Sequence, residues 1–118
     1  YVSLDGGMGD NIRPALYDSK YEAVVANKMD SLNLSSVETV TLAGKYCESG
    51  DLLVKDISLP KIASGDVVAI PASGAYCFAM SSNYNMNPRL AIIIISNGKP
   101  KLIRKRETYE VLMALDII

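Results

Sequence analysis

The chain has no histidine, no tryptophan and only two cysteines, Cys47 and Cys77. Because histidine is the usual general base near neutral pH and a common zinc ligand, its absence argues against histidine-based catalysis and against a zinc site. The cysteines form no Cys-x-x-Cys motif and nothing marks the chain as secreted, so we expect two free thiols in a reducing compartment such as the cytoplasm. We expect no metal site, and proton chemistry must use cysteine, tyrosine, lysine or carboxylate groups, or come from outside the chain.

Charge imbalance and long apolar runs are also absent. Lys and Arg number 12 and Asp and Glu number 13, which gives a formal net charge of −1. A nearly neutral chain has no bulk attraction to nucleic acid or to an anionic membrane surface. The longest apolar run, at 90–95, is far shorter than the roughly 20 residues that cross a bilayer. We therefore expect neither nucleic acid nor membrane as a partner.

The hydrophobic pattern is mostly that of strands. With 118 residues and 49% hydrophobic content, the chain is the size of one folded domain, 1–118. Partial alternation and turn residues predict several short strands, at 21–26, 37–43, 52–59, 66–71, 90–96 and 101–104. The continuous β-branched run at 90–96 predicts a strand buried on both faces. Asn97-Gly98 predicts a hairpin turn. Together these strands predict a mainly β domain, a sandwich or barrel with short helices.

Two short helices are predicted beside the strands. One spans 12–17, with Asp10 or Asn11 as its cap, and the other begins at Thr108. The chain opens like a strand entered in mid-protein and has no initiator Met, so we expect a piece of a longer polypeptide.

The segment 44–51 places a thiol and a carboxylate side by side between glycines. The thiol of Cys47 can hold a transferable proton, since its reference pKa is about 8.5. The carboxylate of Glu48 can receive a cationic group. The alternative is a surface turn with an incidental cysteine.

Two further segments allow a functional and a structural interpretation. The glycine-rich stretch 5–10 precedes a helix and could cradle a phosphate, but it matches no phosphate-binding fingerprint, so a tight turn is favoured. Arg13 and Tyr17 share a helix face, and an arginine fork binds carboxylates and phosphates well. The alternative is a surface arginine stacked on a tyrosine.

Five groups of motifs, in order, resemble one family, the diaminopimelate decarboxylases, which belong to the alanine racemase-like or ornithine decarboxylase-like fold group. They are Asp-Gly-Gly-Met with Asp-Asn-Ile-Arg-Pro-Ala-Leu-Tyr at 5–8 and 10–17, Cys-Glu-Ser-Gly-Asp at 47–51, Gly-Ala-Tyr at 74–76, Ser-Asn-Tyr-Asn with Pro-Arg at 82–85 and 88–89, and Arg-Lys-Arg-Glu-Thr-Tyr-Glu at 104–110. The resemblance covers essentially the whole chain, but only the C-terminal part of such an enzyme.

The resemblance implies a fold, a reaction and partners. Such enzymes use pyridoxal phosphate to convert meso-2,6-diaminopimelate to L-lysine and CO2. They join an N-terminal (β/α)8 barrel, which is absent here, to a C-terminal β-domain, which this chain resembles. The barrel supplies the Schiff-base lysine, so this chain alone is expected to be inactive. The resemblance also implies a homodimer with each active site shared across the interface, in a cytoplasmic enzyme.

Roles carry over to five positions. Cys47 matches the catalytic proton donor, and Glu48 matches the residue that holds the distal ammonium of the substrate. Arg13 and Tyr17 match residues that bind the distal end of the substrate, with Arg13 on its carboxylate. Tyr76 matches a tyrosine beside the cofactor and the substrate.

Alternatives remain open at this point. A related decarboxylase could act on ornithine, D-lysine or an acyl-carrier substrate, although a substrate without a distal carboxylate has no use for Arg13. A non-catalytic β-barrel dimerisation module is the alternative from a different class.

Overall fold

The structure, a computed structural model, describes residues 1–29 and 36–117. These residues form short strands and short helices. The strands are β1 (Val2–Ser3), β2 (Val24–Val25), β3 (Val37–Ala43), β4 (Leu52–Pro60), β5 (Val68–Ala69), β6 (Ile92–Ser96) and β7 (Lys99–Arg104), the α-helices are α1 (Arg13–Tyr17) and α2 (Tyr109–Leu112), and 3-10 turns lie at Ala26–Lys28, Phe78–Met80 and Tyr84–Met86. The prediction of a mainly β chain with short helices is confirmed.

The strands of the described residues form three small sheets. In the largest, β3 is central, parallel to β1 and antiparallel to β4, with Val2 opposite Leu42. Strand β2 pairs with β5, and β6 pairs with β7, both antiparallel. Asn97 and Gly98, with φ of 49° and 71°, make the turn between β6 and β7. Two positive φ angles are what a two-residue hairpin turn requires, so the predicted hairpin is confirmed.

The core is formed mainly by residues of β3 and β4 with two residues near β2. Alternation along β3 directs Val40 and Leu42 inward, and Leu42 is fully buried. The other buried apolar residues of this cluster are Ala23, Val25, Leu53, Val54 and Leu59. The strand that leads into the 44–51 loop is therefore fixed by core packing.

The predicted burial of the 90–96 strand on both faces is wrong. Strand β6 begins at Ile92, and Ile93, Ile94 and Ile95 are 56%, 50% and 73% exposed. The hairpin of β6 and β7 is a two-stranded sheet of its own. Each strand has a hydrogen-bonded neighbour along one edge, and that neighbour covers neither face of the strand. The β-branched residues predicted a strand, but the burial of that strand depends on whether another layer of structure packs against its faces.

The predicted cap of the first helix is also wrong. The capping position is Ile12, which makes no side-chain cap hydrogen bond, and α1 begins at Arg13. The side chain of Asn11 lies one residue too early, and its Oδ1 accepts the Arg13 N–H at 3.3 Å. Thr108 does cap α2, because its Oγ1 accepts the Val111 N–H at 3.4 Å. Neither helix, nor any other within the described ranges, has the length and apolar character that a membrane span requires.

Candidate active site

The 44–51 loop is closed at its base by Asp51. The Gly44 N–H donates to the Asp51 carbonyl at 2.8 Å, and the Asp51 N–H donates to the Glu48 carbonyl at 3.0 Å. These two bonds leave Cys47 and Glu48 at the exposed tip of the loop. Cys47 is a free thiol. The loop thus presents a thiol and a carboxylate on a turn whose base is fixed.

The side chain of Asp51 ties this loop to the glycine-rich stretch 5–10. Asp51 is only 2% exposed, and its carboxylate accepts the Met8 N–H at 2.6 Å and the Tyr46 N–H at 2.9 Å. The absence of side chains at Gly7 and Gly44 makes room for it, since a Cβ at either position would collide with the carboxylate. Two loops distant in sequence are therefore joined through one buried carboxylate.

Tyr46 packs on two glycines of the stretch 5–10. Its ring lies against Gly7 and Gly9, where a Cβ would overlap it, and meets the ring of Tyr84 edge-on at 5.4 Å between centroids. Partial burial raises the pKa of Tyr46, and the charges of Asp10 and Asp51 add to that rise. Loop 44–51, the glycine-rich stretch 5–10 and the Tyr84 turn form one packed unit, hereafter the loop cluster.

The glycine-rich stretch is a tight turn. The Gly7 N–H donates to Asp10 Oδ2 at 3.0 Å and the Met8 N–H to Asp51, while the Asp10 and Asn11 N–H groups donate to the Gly7 carbonyl at 2.9 and 3.1 Å. Burial raises the pKa of Asp10, although the Gly7 N–H opposes that rise. Because these N–H groups already have acceptors within the chain, they do not form a phosphate cradle.

Arg13, Tyr17 and Tyr76 come together in a second group. The guanidinium carbon of Arg13 lies 5.5 Å from the ring centroid of Tyr17 and 5.8 Å from that of Tyr76, within cation–π range. Tyr76 has a left-handed backbone, with φ of 61°, which is uncommon for a residue with a side chain. No carboxylate of the described residues forms an ion pair with Arg13. The guanidinium thus lies beside two exposed rings and can donate hydrogen bonds to an anionic group.

The five predicted site residues therefore lie in two separate groups. Within the described ranges, no hydrogen bond, ion pair or ring contact joins Cys47 or Glu48 to the Arg13 group. Glu48 Oε1 instead accepts the Gly50 N–H at 3.2 Å and the Ser49 hydroxyl at 3.4 Å. The same ranges contain no group of three or more Cys, Asp or Glu side chains arranged to hold a metal ion.

Sequence reasoning missed the residues that hold the loop in place. Asp51 entered only as part of the motif at 47–51 and Tyr46 only as part of the segment 44–51, although the five glycines of the stretches 5–10 and 44–51 were a signal of close packing. It also missed a buried polar pair that lines a broad concavity of about 1010 Å³. There the Cys77 thiol donates to Asn11 Oδ1 at 3.4 Å, and Asn11 Nδ2 has no hydrogen-bond partner among the described residues.

Comparison with known proteins identifies the family. Residues 1–74 match the family described as "Pyridoxal-dependent decarboxylase, C-terminal sheet domain". The chain belongs to this family. As a pyridoxal-dependent decarboxylase sheet domain, it is 50% identical over 117 residues to the diaminopimelate decarboxylase of Bacillus subtilis (strain 168), a match that covers 99% of this chain and 26% of the relative. It is 48% identical over 118 residues to that of Synechocystis sp., with 100% and 24% covered.

Solved structures agree with this assignment. The sheet domain superposes on a crystal structure of diaminopimelate decarboxylase from Helicobacter pylori, complexed with L-lysine, with a TM-score of 0.87 and 37% identity, over 97% of this chain and 27% of that chain. The chain thus spans about a quarter of the length of the relatives it matches. The predicted family and fold are confirmed.

Proposed function

We propose that residues 1–118 act as one domain of a longer diaminopimelate decarboxylase, a cytoplasmic enzyme that converts meso-2,6-diaminopimelate to L-lysine and CO2. Relatives at about 50% identity carry that name, and a structural neighbour holds L-lysine. The observation in this chain that supports the choice of substrate is the Arg13 guanidinium, which lies beside two tyrosine rings with no carboxylate of the described residues paired to it. Such a fork suits a distal carboxylate.

The cofactor of this enzyme is pyridoxal phosphate. The exposed ring of Tyr76 beside Arg13 fits the edge of such a planar group. The glycine-rich stretch 5–10 does not fit its phosphate, because the N–H groups of Gly7, Met8 and Asp10 already have acceptors. We expect the Schiff-base lysine and the phosphate site to lie in the N-terminal barrel, outside this chain. When bound, the cofactor withdraws the electron pair that remains after CO2 leaves.

Substrate orientation comes from the two groups of residues described above. Arg13 binds the distal carboxylate of diaminopimelate in a charge-assisted pair, and Tyr17 lies against that end of the molecule. The carboxylate of Glu48 receives the distal ammonium group. Together they position the other end of the substrate, with Tyr76, against the cofactor.

Cys47 supplies the proton that replaces CO2. The Cα–carboxylate bond breaks and CO2 departs, and the thiol of Cys47 then donates its proton to Cα. The resulting thiolate regains a proton from solvent, so each turnover consumes one proton and releases one CO2. The thiol must be protonated at the moment of transfer, and Cys47 is a free, exposed cysteine.

Cys47 and Glu48 act in the active site of a second subunit. They protrude at the tip of a fixed loop and make no contact with the Arg13 group of their own chain within the described ranges. A two-fold dimer that exchanges these loops would complete both sites. The proposed active unit is therefore a homodimer.

Subunit complementation tests this arrangement. One full-length variant carries Cys47→Ala, and a second lacks the barrel lysine, so that each homodimer is nearly inactive. When the two are refolded together, half of the dimers are mixed, and one site in each keeps both wild-type groups. Activity should recover to about a quarter of the wild-type value under random isologous pairing. Recovery near zero, with mixed dimers confirmed by mass spectrometry, would show that Cys47 serves its own subunit.

Substrate choice is tested by Arg13→Ala in the full-length enzyme. Loss of a hydrogen-bonded pair to a charged group lowers kcat/KM by roughly ten- to a hundred-fold for diaminopimelate. The loss should be much smaller for D-lysine, which has no distal carboxylate. Equal losses for both substrates would mean that Arg13 is a structural residue.

A further inference from the structure

The buried carboxylate of Asp51 has no role in the mechanism above, yet it joins the Cys47 loop to the glycine-rich stretch 5–10. Its two oxygens accept different backbone donors, the N–H of Met8 at 2.6 Å and the N–H of Tyr46 at 2.9 Å. Its own backbone closes the loop through Gly44 and Glu48. The residue is 2% exposed, so these bonds are shielded from competing water.

We propose that Asp51 is a positioning residue for proton transfer. It fixes the backbone of Tyr46, the residue directly before Cys47, against the glycine-rich stretch 5–10, and so sets where the Cys47 thiol lies. This inference rests on the proposed function, because it concerns the placement of the proposed proton donor.

The geometry requires a carboxylate of this length. Each oxygen faces one N–H donor, and an asparagine would turn an amide donor toward one of those two N–H groups. A glutamate would keep both acceptors, but its extra methylene has no space, because the carboxylate already fills the gaps left by Gly7 and Gly44. Asp51→Asn should therefore break one of the two hydrogen bonds, and Asp51→Glu should displace both acceptor oxygens.

In the full-length enzyme, Asp51→Asn should lower kcat by about ten- to a hundred-fold, the range expected when hydrogen bonds to a charged group are lost. KM for diaminopimelate should change less, because the Arg13 group makes no contact with Asp51 within the described ranges. The second readout does not depend on turnover. Iodoacetamide alkylation, followed by peptide mass spectrometry, should show a several-fold change in the rate at Cys47, with buried Cys77 as the internal reference.

Asp66→Asn is the matched control. Asp66 also accepts a backbone N–H, from Ala63 at 2.7 Å, and the side-chain amide of Asn27 at 2.9 Å. It makes no contact with the loop cluster within the described ranges. Its loss should reduce the stability of the enzyme but leave kcat per folded dimer and the alkylation rate of Cys47 unchanged.

The outcomes separate this inference from the proposed function. If the wild-type enzyme does not decarboxylate diaminopimelate, or if Cys47→Ala keeps full activity, the proposed function is wrong. If both of those tests succeed and Asp51→Asn keeps wild-type kcat and Cys47 alkylation, Asp51 is not a positioning residue. Circular dichroism shows whether each variant folds. If Asp51→Asn does not fold, kcat and the alkylation rate of Cys47 are measured on Asp51→Glu instead. Equal effects of Asp51→Asn and Asp66→Asn on kcat would also overturn the inference.

Discussion

The loop cluster and the hairpin of β6 and β7 differ in whether their side chains have partners within the chain. In the loop cluster, a buried carboxylate accepts two backbone N–H groups, and three glycines leave space for it and for Tyr46. In the hairpin, the two strands pair along their length with one register shift at Ile92 and Ile93, and most of their apolar side chains are exposed. The first region is held together by contacts within the chain. The second has an apolar surface of the kind that another domain or subunit commonly covers.

The largest expected difference between the two regions concerns the removal of an apolar side chain. The loop cluster extends from β3, where Leu42 is fully buried, whereas Ile95 in the hairpin is 73% exposed. Leu42→Ala should lower the free energy of unfolding of the 118-residue chain by about 2–5 kcal/mol. Ile95→Ala should change it by less than about 0.5 kcal/mol. Urea denaturation followed by circular dichroism measures both, and similar losses would contradict the contrast between the regions.

A smaller effect is expected from adding one methyl group. At Gly44 the new Cβ would collide with the Asp51 carboxylate, whereas at Gly74 no atom lies within 4 Å. Gly44→Ala should destabilise the chain by about 1–3 kcal/mol through overpacking. Gly74→Ala should be neutral or stabilise it by up to about 1 kcal/mol, because alanine restricts the unfolded chain. If Gly44→Ala and Gly74→Ala have the same free energy of unfolding, Asp51 is not tightly enclosed.

The features that the sequence predicted are those set by neighbouring residues. The Asn97-Gly98 turn follows from local backbone chemistry, and the shared helix face of Arg13 and Tyr17 follows from their spacing. The extended conformation of β6 follows from its β-branched residues. Its burial could not be predicted, because burial depends on which layer packs against a strand.

Contacts between distant residues were the part that the sequence did not predict. The bond between Asp51 and the Met8 N–H joins positions 43 residues apart. The approach of Tyr76 to Arg13 involves a left-handed backbone at a tyrosine, which no propensity favours. The cap of α1 was misplaced because Asn11, which resembles a cap in the sequence, has its amide oxygen between the Arg13 N–H and the Cys77 thiol.

The smallest expected effect compares a carboxylate inside the loop cluster with one outside it. Hydrogen bonds from Lys28, Ala63 and Asn27 lower the pKa of Asp66 to about 2, from an ordinary value of 3.8. Burial raises the pKa of Asp10 in the loop cluster. The lowered pKa of Asp66 contributes stability above pH 3.8, and this stability is lost as pH falls toward 2. The raised pKa of Asp10 means that the folded chain binds this proton more tightly than the unfolded chain does. The folded chain therefore gains stability as pH falls toward 3.8.

Urea denaturation between pH 2 and pH 6 therefore separates the two carboxylates. The stability advantage of the wild-type chain over Asp66→Asn should shrink as pH falls from about 4 to about 2, because protonation of Asp66 removes the interactions that the amide also lacks. The difference between wild type and Asp10→Asn should move the other way, in favour of the wild type, as pH falls toward 3.8. Two differences that change in the same direction would mean that Asp10 and Asp66 contribute to stability with the same dependence on pH.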